Sequence, residues 1–236
     1  MAINFQALQT RTLTALAFVV VMLGGLFWNG WSFIILFTII HFGCWYEYIK
    51  LIKKIHPNNY ISNSFLGLAY ITLPIIMMID LGFDASIFAK DQGIENLHTL
   101  QYSSVIPCGM IFSIWINDTM AYLVGSAIGK TPFSKISPKK TWEGTAGGAI
   151  LCVIAIGYFS RDINAAKIIS TKHWIIIAGI CAIAGTGGDL LESKLKRMAN
   201  VKDSGSIMPG HGGFLDRFDS LLIAVPFVWL YLKLLA

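Results

Sequence analysis

Seven apolar runs, most of them near bilayer length, dominate this chain and leave few folds open to it. They fall at about residues 12–28, 31–49, 64–81, 103–125, 146–160, 173–190 and 214–235. The hydrocarbon core of a membrane takes ~20 residues of helix, and the fifth run is the shortest measured against that length. Inside lipid each spanning segment must satisfy its own backbone N–H and C=O groups, so such runs become helices. The expected fold is all-α: a polytopic integral membrane bundle of about seven transmembrane helices. Composition agrees, because only 13% of residues are charged and 55% are hydrophobic, whereas an average soluble domain carries ~25% charged residues. No internal repeat or low-complexity linker divides the chain, so residues 1–236 read as a single integral domain. The first run has no small-residue cleavage site before the second begins, so it reads as a retained helix.

Cys44, Cys108, Cys152 and Cys181 all lie within apolar runs and lack metal-ligand spacing. They read as small core residues, and no disulfide framework is implied. The segment 82–102 is the longest loop without recognisable chemistry.

Seven spans put the termini on opposite sides and sort the 18 Lys and Arg residues unequally. One side holds Arg11, Lys50, Lys53, Lys54, Lys130, Lys135, Lys139, Lys140, Lys194, Lys196, Arg197, Lys202 and Arg217. The other holds Lys90, Arg161, Lys167, Lys172 and Lys233. The positive-inside rule makes the first side cytoplasmic. Every polar cluster below then belongs to a polar cavity facing the cytosol, where nucleotides are.

Four clusters carry candidate chemistry. Asp216-Arg217-Phe218-Asp219 follows Gly212-Gly213 and opens the last apolar run, with both carboxylates on one helix face. They suit either an ion site or simple capping at a helix N-terminus. Gly185-Thr186-Gly187-Gly188-Asp189 ends the sixth run, followed by Glu192 and Ser193. Its glycines suit close helix packing or local unwinding, whereas Asp189 can converge with Asp216 on one oxygen-ligated cation such as Mg²⁺. In the fourth run Asp118, Tyr122 and Gly125 share a face, and an Asp there must point into the bundle or a wet cavity. The fourth cluster is a Pro- and Gly-punctuated loop from Lys130 to Gly148, read as non-helical, whose Lys139 and Lys140 offer donors to phosphate. Gly125 to Thr131 is not a Walker A loop, because three residues rather than four separate its glycines. His211 suits a general base, a phosphate donor or a structural turn residue. Glu47, near the end of the second run, is expected to snorkel to the interface rather than enter the cavity.

Together these residues resemble the phosphatidate cytidylyltransferases, or CDP-diacylglycerol synthases. The resemblance is carried by Ser193, Leu195, Lys196, Arg197, Lys202, Asp203, Pro209, His211, Gly212, Gly213, Asp216, Arg217 and Asp219. A second block runs from Asp118, Thr119, Ala121 and Tyr122 through Ser137, Pro138, Lys139, Lys140, Thr141, Glu143 and Gly144, and Arg11 looks like the family's opening. Met208 stands where the family usually has Leu, Ile or Phe, and Ser126 where many members carry Arg.

The resemblance implies transfer of CMP from CTP to phosphatidic acid, giving CDP-diacylglycerol and pyrophosphate for phospholipid biosynthesis. It implies Asp189, Asp216, Lys202, Arg217 and His211 as catalytic residues. Ser193, Lys196, Arg197, Asp118, Lys139, Lys140, Gly212 and Gly213 would bind substrate. Asp189, Asp216 and Asp219 would hold Mg²⁺, with room for a second cation. The partners implied are CTP, phosphatidic acid and the lipid bilayer; a homodimer is compatible, and nucleic acid is not expected. The setting implied is multi-pass insertion in a bacterial inner or plasma membrane. A CTP-dependent polyprenol kinase or another lipid-phosphate cytidylyltransferase would want similar groups. A cation transporter could use Asp118, Asp189 and Asp216 as ion ligands. A CDP-alcohol phosphotransferase is disfavoured, since its Asp-Gly-x-x-Ala-Arg element is missing.

Overall fold

The structure, a computed structural model, describes residues 5–83, 102–208 and 212–234. Most of the loop expected at 82–102, together with Pro209, Gly210 and His211, lies outside the described residues. Those described form an all-α bundle of seven helices. They are α1 (Phe5–Phe27), α2 (Gly30–Ile55), α3 (Tyr60–Phe83), α4 (Val105–Ile128), α5 (Trp142–Asp162), α6 (Thr171–Met198) and α7 (Leu215–Leu234). The helices α2 to α6 are long and apolar enough to cross a membrane. The apolar part of α1 is shorter, Thr12–Phe27, and α7 carries three charges in its first turns.

Large apolar side chains lie exposed on the outer faces of the bundle, as suits a membrane-spanning protein. Ile35, Ile39, Phe42 and Tyr46 follow one another along the outer face of α2, each more than half exposed. Such a stripe would be an association site in water. Trp28 and Trp31 are exposed beside the turn between α1 and α2, the placement of interfacial aromatic anchors. That turn is fixed by Asn29, whose side chain accepts from the Ser32 N–H while the Ser32 hydroxyl accepts from the Asn29 N–H, a reciprocal cap.

Two features differ from expectation. The third span is not a uniform α-helix, because Leu68–Thr72 adopts π geometry. At its end the Thr72 hydroxyl accepts from Trp45 Nε1 at 2.9 Å, tying α3 to α2. The segment Trp142–Gly148, read as loop, is instead the start of α5, and the non-helical stretch ends at Thr141. The Thr141 hydroxyl accepts from the Gly144 N–H at 3.1 Å and caps the helix. Its glycines serve packing rather than a turn. A Cβ at Gly144 would stand 2.7 Å from the Ala121 carbonyl oxygen, and one at Gly148 would stand 2.8 Å from that of Asn117. The closeness of α4 and α5 depends on those missing methyls.

The core lies between α2, α3, α4, α6 and α7, with Phe33, Phe37, Met78, Met110, Ile177, Leu222 and Val228 sealed from solvent. All four cysteines are buried and unpaired within it, as their positions in the apolar runs implied. Helix α6 continues without a break through Gly185–Gly188. A Cβ on Gly188 would overlap the Asp219 carbonyl of α7, so close packing, not unwinding, explains that glycine. Asp80 on α3 accepts from Trp229 Nε1 at 2.7 Å and pairs with Lys233 at 2.9 Å, fastening the far end of α7.

Candidate active site

Residues of the loop 129–141 and of the stretch 202–208, with Gly212, line a cavity of about 810 Å³ at one end of the bundle. Helix α4 contributes Asn117, Asp118, Ala121, Tyr122, Gly125 and Ser126, the face expected of that span. Lys139 and Lys140 come from the first loop, and Lys202 and Asp203 from the second. Asp189 and Lys196 reach in from α6, and Asp216, Arg217 and Asp219 from the start of α7. The lining therefore holds five cationic and five anionic side chains.

Most of those charges already interact. Lys140 forms an ion pair with Asp189 that ties the first loop to α6. Ser193, one turn after Asp189, donates to its other oxygen at 3.2 Å. Lys196 pairs with Glu192 one turn earlier and lies 2.6 Å from Asp216 Oδ1. Glu192 is fully buried and neither of its oxygens has a directed hydrogen bond. Lys196 is its ion-pair partner among the described residues.

The start of α7 is the most constrained part. Asp216 Oδ2 accepts from the Gly213 N–H at 2.8 Å, the Ser204 N–H at 2.9 Å and the Ser204 hydroxyl at 2.8 Å. Gly212 has φ +84°, and a Cβ there would also approach Asp216 Oδ2 to 2.6 Å. Glycine is the residue that meets both demands. Asp219 is buried and accepts from the Ser220 N–H at 2.6 Å.

The structure sorts the residues expected from sequence. Asp118, Lys139, Lys140, Asp189, Lys196, Lys202, Gly212, Asp216, Arg217 and Asp219 share the cavity wall. Ser193 is not on that wall and is engaged with Asp189, and Gly213 contributes its backbone N–H to Asp216. Arg197 is exposed, and its guanidinium donates to the Val201 carbonyl at 3.4 Å. Neighbouring residues on a helix point about 100° apart, so Lys196 facing inward turns Arg197 away. His211 lies outside the described residues.

Sequence reading also missed three anchors. Glu47 does not snorkel: it is buried at 1% exposure and hydrogen-bonded to the loop before α7. Glu143 accepts from the Lys130 and Thr131 N–H groups and the Thr131 hydroxyl, pinning the start of the first loop. Ser204 is buried between Glu47 and Asp216. The clue for Glu47 was a carboxylate inside an apolar run, which defaults to a functional site.

Among the described residues no three His, Cys, Asp or Glu side chains cluster tightly enough to cage a metal unaided. The anionic and amide groups lining the cavity nonetheless offer only oxygen as ligand, and the Asn117 Oδ1 atom among them is buried without a hydrogen-bond partner. That donor set fits Mg²⁺, which binds through one or two carboxylates and fills its shell with water and phosphate.

Fold and site together define a multi-pass helical membrane protein with a charged cavity of about 810 Å³ at one end of its bundle. The chain belongs to the cytidylyltransferase family, whose profile matches residues 60–235. It is 44% identical over 122 residues to the phosphatidate cytidylyltransferase of Bacillus subtilis, an alignment covering 51% of this chain and 45% of that protein. With the phosphatidate cytidylyltransferase of Staphylococcus aureus strain COL the identity is 34% over 206 residues, covering 79% and 70% of the two chains. With that of Thermotoga maritima it is 39% over 130 residues, covering 53% and 48%. The matches thus span less than half the length of the Bacillus and Thermotoga relatives.

Proposed function

We propose that this chain is a phosphatidate cytidylyltransferase, transferring CMP from CTP to phosphatidic acid with release of pyrophosphate. The observation that carries the reading is the charge-balanced cavity at one end of an apolar bundle. Among the described residues five Lys and Arg side chains line it beside five Asp side chains, so a bound polyphosphate calls for an added positive charge. A lipid phosphate can meet the nucleotide there while its acyl chains stay in hydrocarbon. The excess of Lys and Arg on the loops at this end supports a cytoplasmic opening.

An oxygen of the phosphatidate monoester attacks the α-phosphorus of CTP, and the bond from that phosphorus to the bridging oxygen breaks, so pyrophosphate leaves. The monoester needs no dedicated base, since its second pKa lies near 6 by comparison with phosphoserine. Lys139, Lys140, Lys196, Lys202 and Arg217 hold phosphate oxygens and set the in-line approach, Arg217 through paired contacts. Asp189, Asp216 and Asp219 would hold Mg²⁺, which supplies charge neutralisation at the transferring phosphoryl group. Ser193 orients Asp189, and Ser204 and Gly213 orient Asp216.

The test incubates purified protein with labelled CTP and phosphatidic acid, with Mg²⁺ or with EDTA. The expected product is CDP-diacylglycerol, formed with Mg²⁺ and lost with EDTA. Asp216→Asn should lower kcat by about 10²–10³, the scale of deleting one transition-state electrostatic contact. An Asp216→Asn enzyme turning over like wild type would overturn the assignment.

A further inference from the structure

We propose that Glu47 on α2 is a positioning residue for Asp216, acting through Ser204. The proposal rests on the cytidylyltransferase reading of the cavity. Glu47 stands before residue 60, where the family match begins, and it does not line the cavity. Its carboxylate nevertheless accepts three hydrogen bonds from residues beside the cavity wall. Oε1 accepts from the Phe214 N–H at 3.0 Å, and Oε2 from the Leu215 N–H at 2.9 Å and the Ser204 hydroxyl at 2.7 Å. One N–H opens α7 and the other immediately precedes it, so a carboxylate from a distant helix caps the start of α7 alongside the local Asp216–Gly213 contact.

The link to Asp216 is the Ser204 hydroxyl. It stands 2.7 Å from Glu47 and 2.8 Å from Asp216, but a hydroxyl has one proton to donate. When that proton serves Glu47, the Ser204 backbone N–H still holds Asp216 at 2.9 Å. One residue thus couples two carboxylates without leaving either unpaired. The glycines around them record the same fit: a Cβ on Gly205 or Gly213 would overlap the Glu47 carboxylate, and one on Gly212 would crowd Asp216. The Gly212–Gly213 pair is therefore the imprint of two nested carboxylates, one contributed by α2. Supporting groups of this kind hold a reacting constellation within its working geometry.

Glu47→Gln keeps the size but replaces one acceptor with an NH₂ group. Either orientation of the amide then sets a donor against a donor, because Phe214 lies on one side and Leu215 with Ser204 on the other. The experiment compares wild type, Glu47→Gln, Ser204→Ala and the double variant. It measures kcat, KM for CTP, and amide hydrogen exchange of the 203–216 segment. Glu47→Gln should lower kcat at least tenfold, hold KM for CTP within threefold, and speed exchange across 203–216. Ser204→Ala should lower kcat less, and the double variant should be no slower than Glu47→Gln alone, because both changes break one chain of contacts.

A Glu47→Gln kcat within twofold of wild type overturns the proposal. So do losses that multiply in the double variant, or a loss confined to the yield of folded protein. If Glu47→Gln does not fold, Ser204→Ala decides, and a wild-type kcat from it counts against the link. If the wild type makes no CDP-lipid, the functional reading falls, and the exchange data still judge the clamp: unchanged protection at 203–216 refutes it.

Discussion

The Lys196 ammonium stands 2.6 Å from Asp216 Oδ1 while also pairing with Glu192, so one cation joins two carboxylates and fastens α6 to the first turn of α7. The side chains of Glu192 and Asp216 are both buried against that ammonium. Lys196→Met should cost about 3–5 kcal/mol, the range for stripping one partner from a buried pair. Thermal unfolding in detergent would show a lower melting temperature. Adding Glu192→Gln should recover most of the stability but not the activity. A Lys196→Met protein as stable as wild type would show that Glu192 finds its compensation elsewhere.

Lys140 ties its loop to Asp189 and lines the same cavity. Because the pair is partly solvated, at 28% and 31% side-chain exposure, its loss should leave folding intact. Lys140→Ala should instead raise KM for CTP about tenfold, equivalent to one charge-assisted contact of ~1.4 kcal/mol. Steady-state kinetics at saturating phosphatidic acid measures it, and an unchanged KM would remove Lys140 from the phosphate-binding set.

Glu143 holds the backbone where the first loop leaves α4, through Lys130 and Thr131. Glu143→Ala should free the segment carrying Lys139 and Lys140. The expected result is a rise in KM for CTP of about five- to tenfold, with the melting temperature almost unchanged. Proteolysis of the intact protein should cut within 130–141 faster than in wild type.

Two adjacent glycines make a paired test of packing at the crossing of α6 and α7. Gly188→Ala would drive a methyl into the Asp219 backbone, and overpacking of this kind costs about 1–3 kcal/mol. Gly187 has nothing within 4 Å of the position a Cβ would take. Gly187→Ala should be neutral or stabilising by up to about 1 kcal/mol, since Ala is the better helix former. Melting temperatures of the two variants should therefore move apart.

Much of this arrangement could be read from local pattern. Apolar run length located all seven helices, and the helical period put Asp118, Tyr122 and Gly125 on the face that lines the cavity. Asp216 and Asp219 fell on the opening turns of α7 as their spacing required. The failures share a cause. Trp142–Gly148 looked like loop because glycine marks turns and tight helix crossings equally well, and only the nearness of Ala121 and Asn117 distinguishes them. Glu47 looked like an interfacial residue because inward burial and outward snorkelling leave the same trace in a one-dimensional pattern. Lys196 and Arg197 looked equivalent until the direction of each side chain was known.

The sequence alone determined that this is a membrane-spanning helical chain with its charges gathered near one set of span ends, because chain hydrophobicity and helical period are local properties. Which carboxylate meets which cation was decided only by the tertiary structure. Lys140 with Asp189, Lys196 with Asp216, and Glu47 beneath Ser204 join residues far apart in the chain, from different helices or from a loop and a helix. Their pairing depends on how far each helix slides and turns against its neighbours, and close contacts at Gly144, Gly148 and Gly188 set that register.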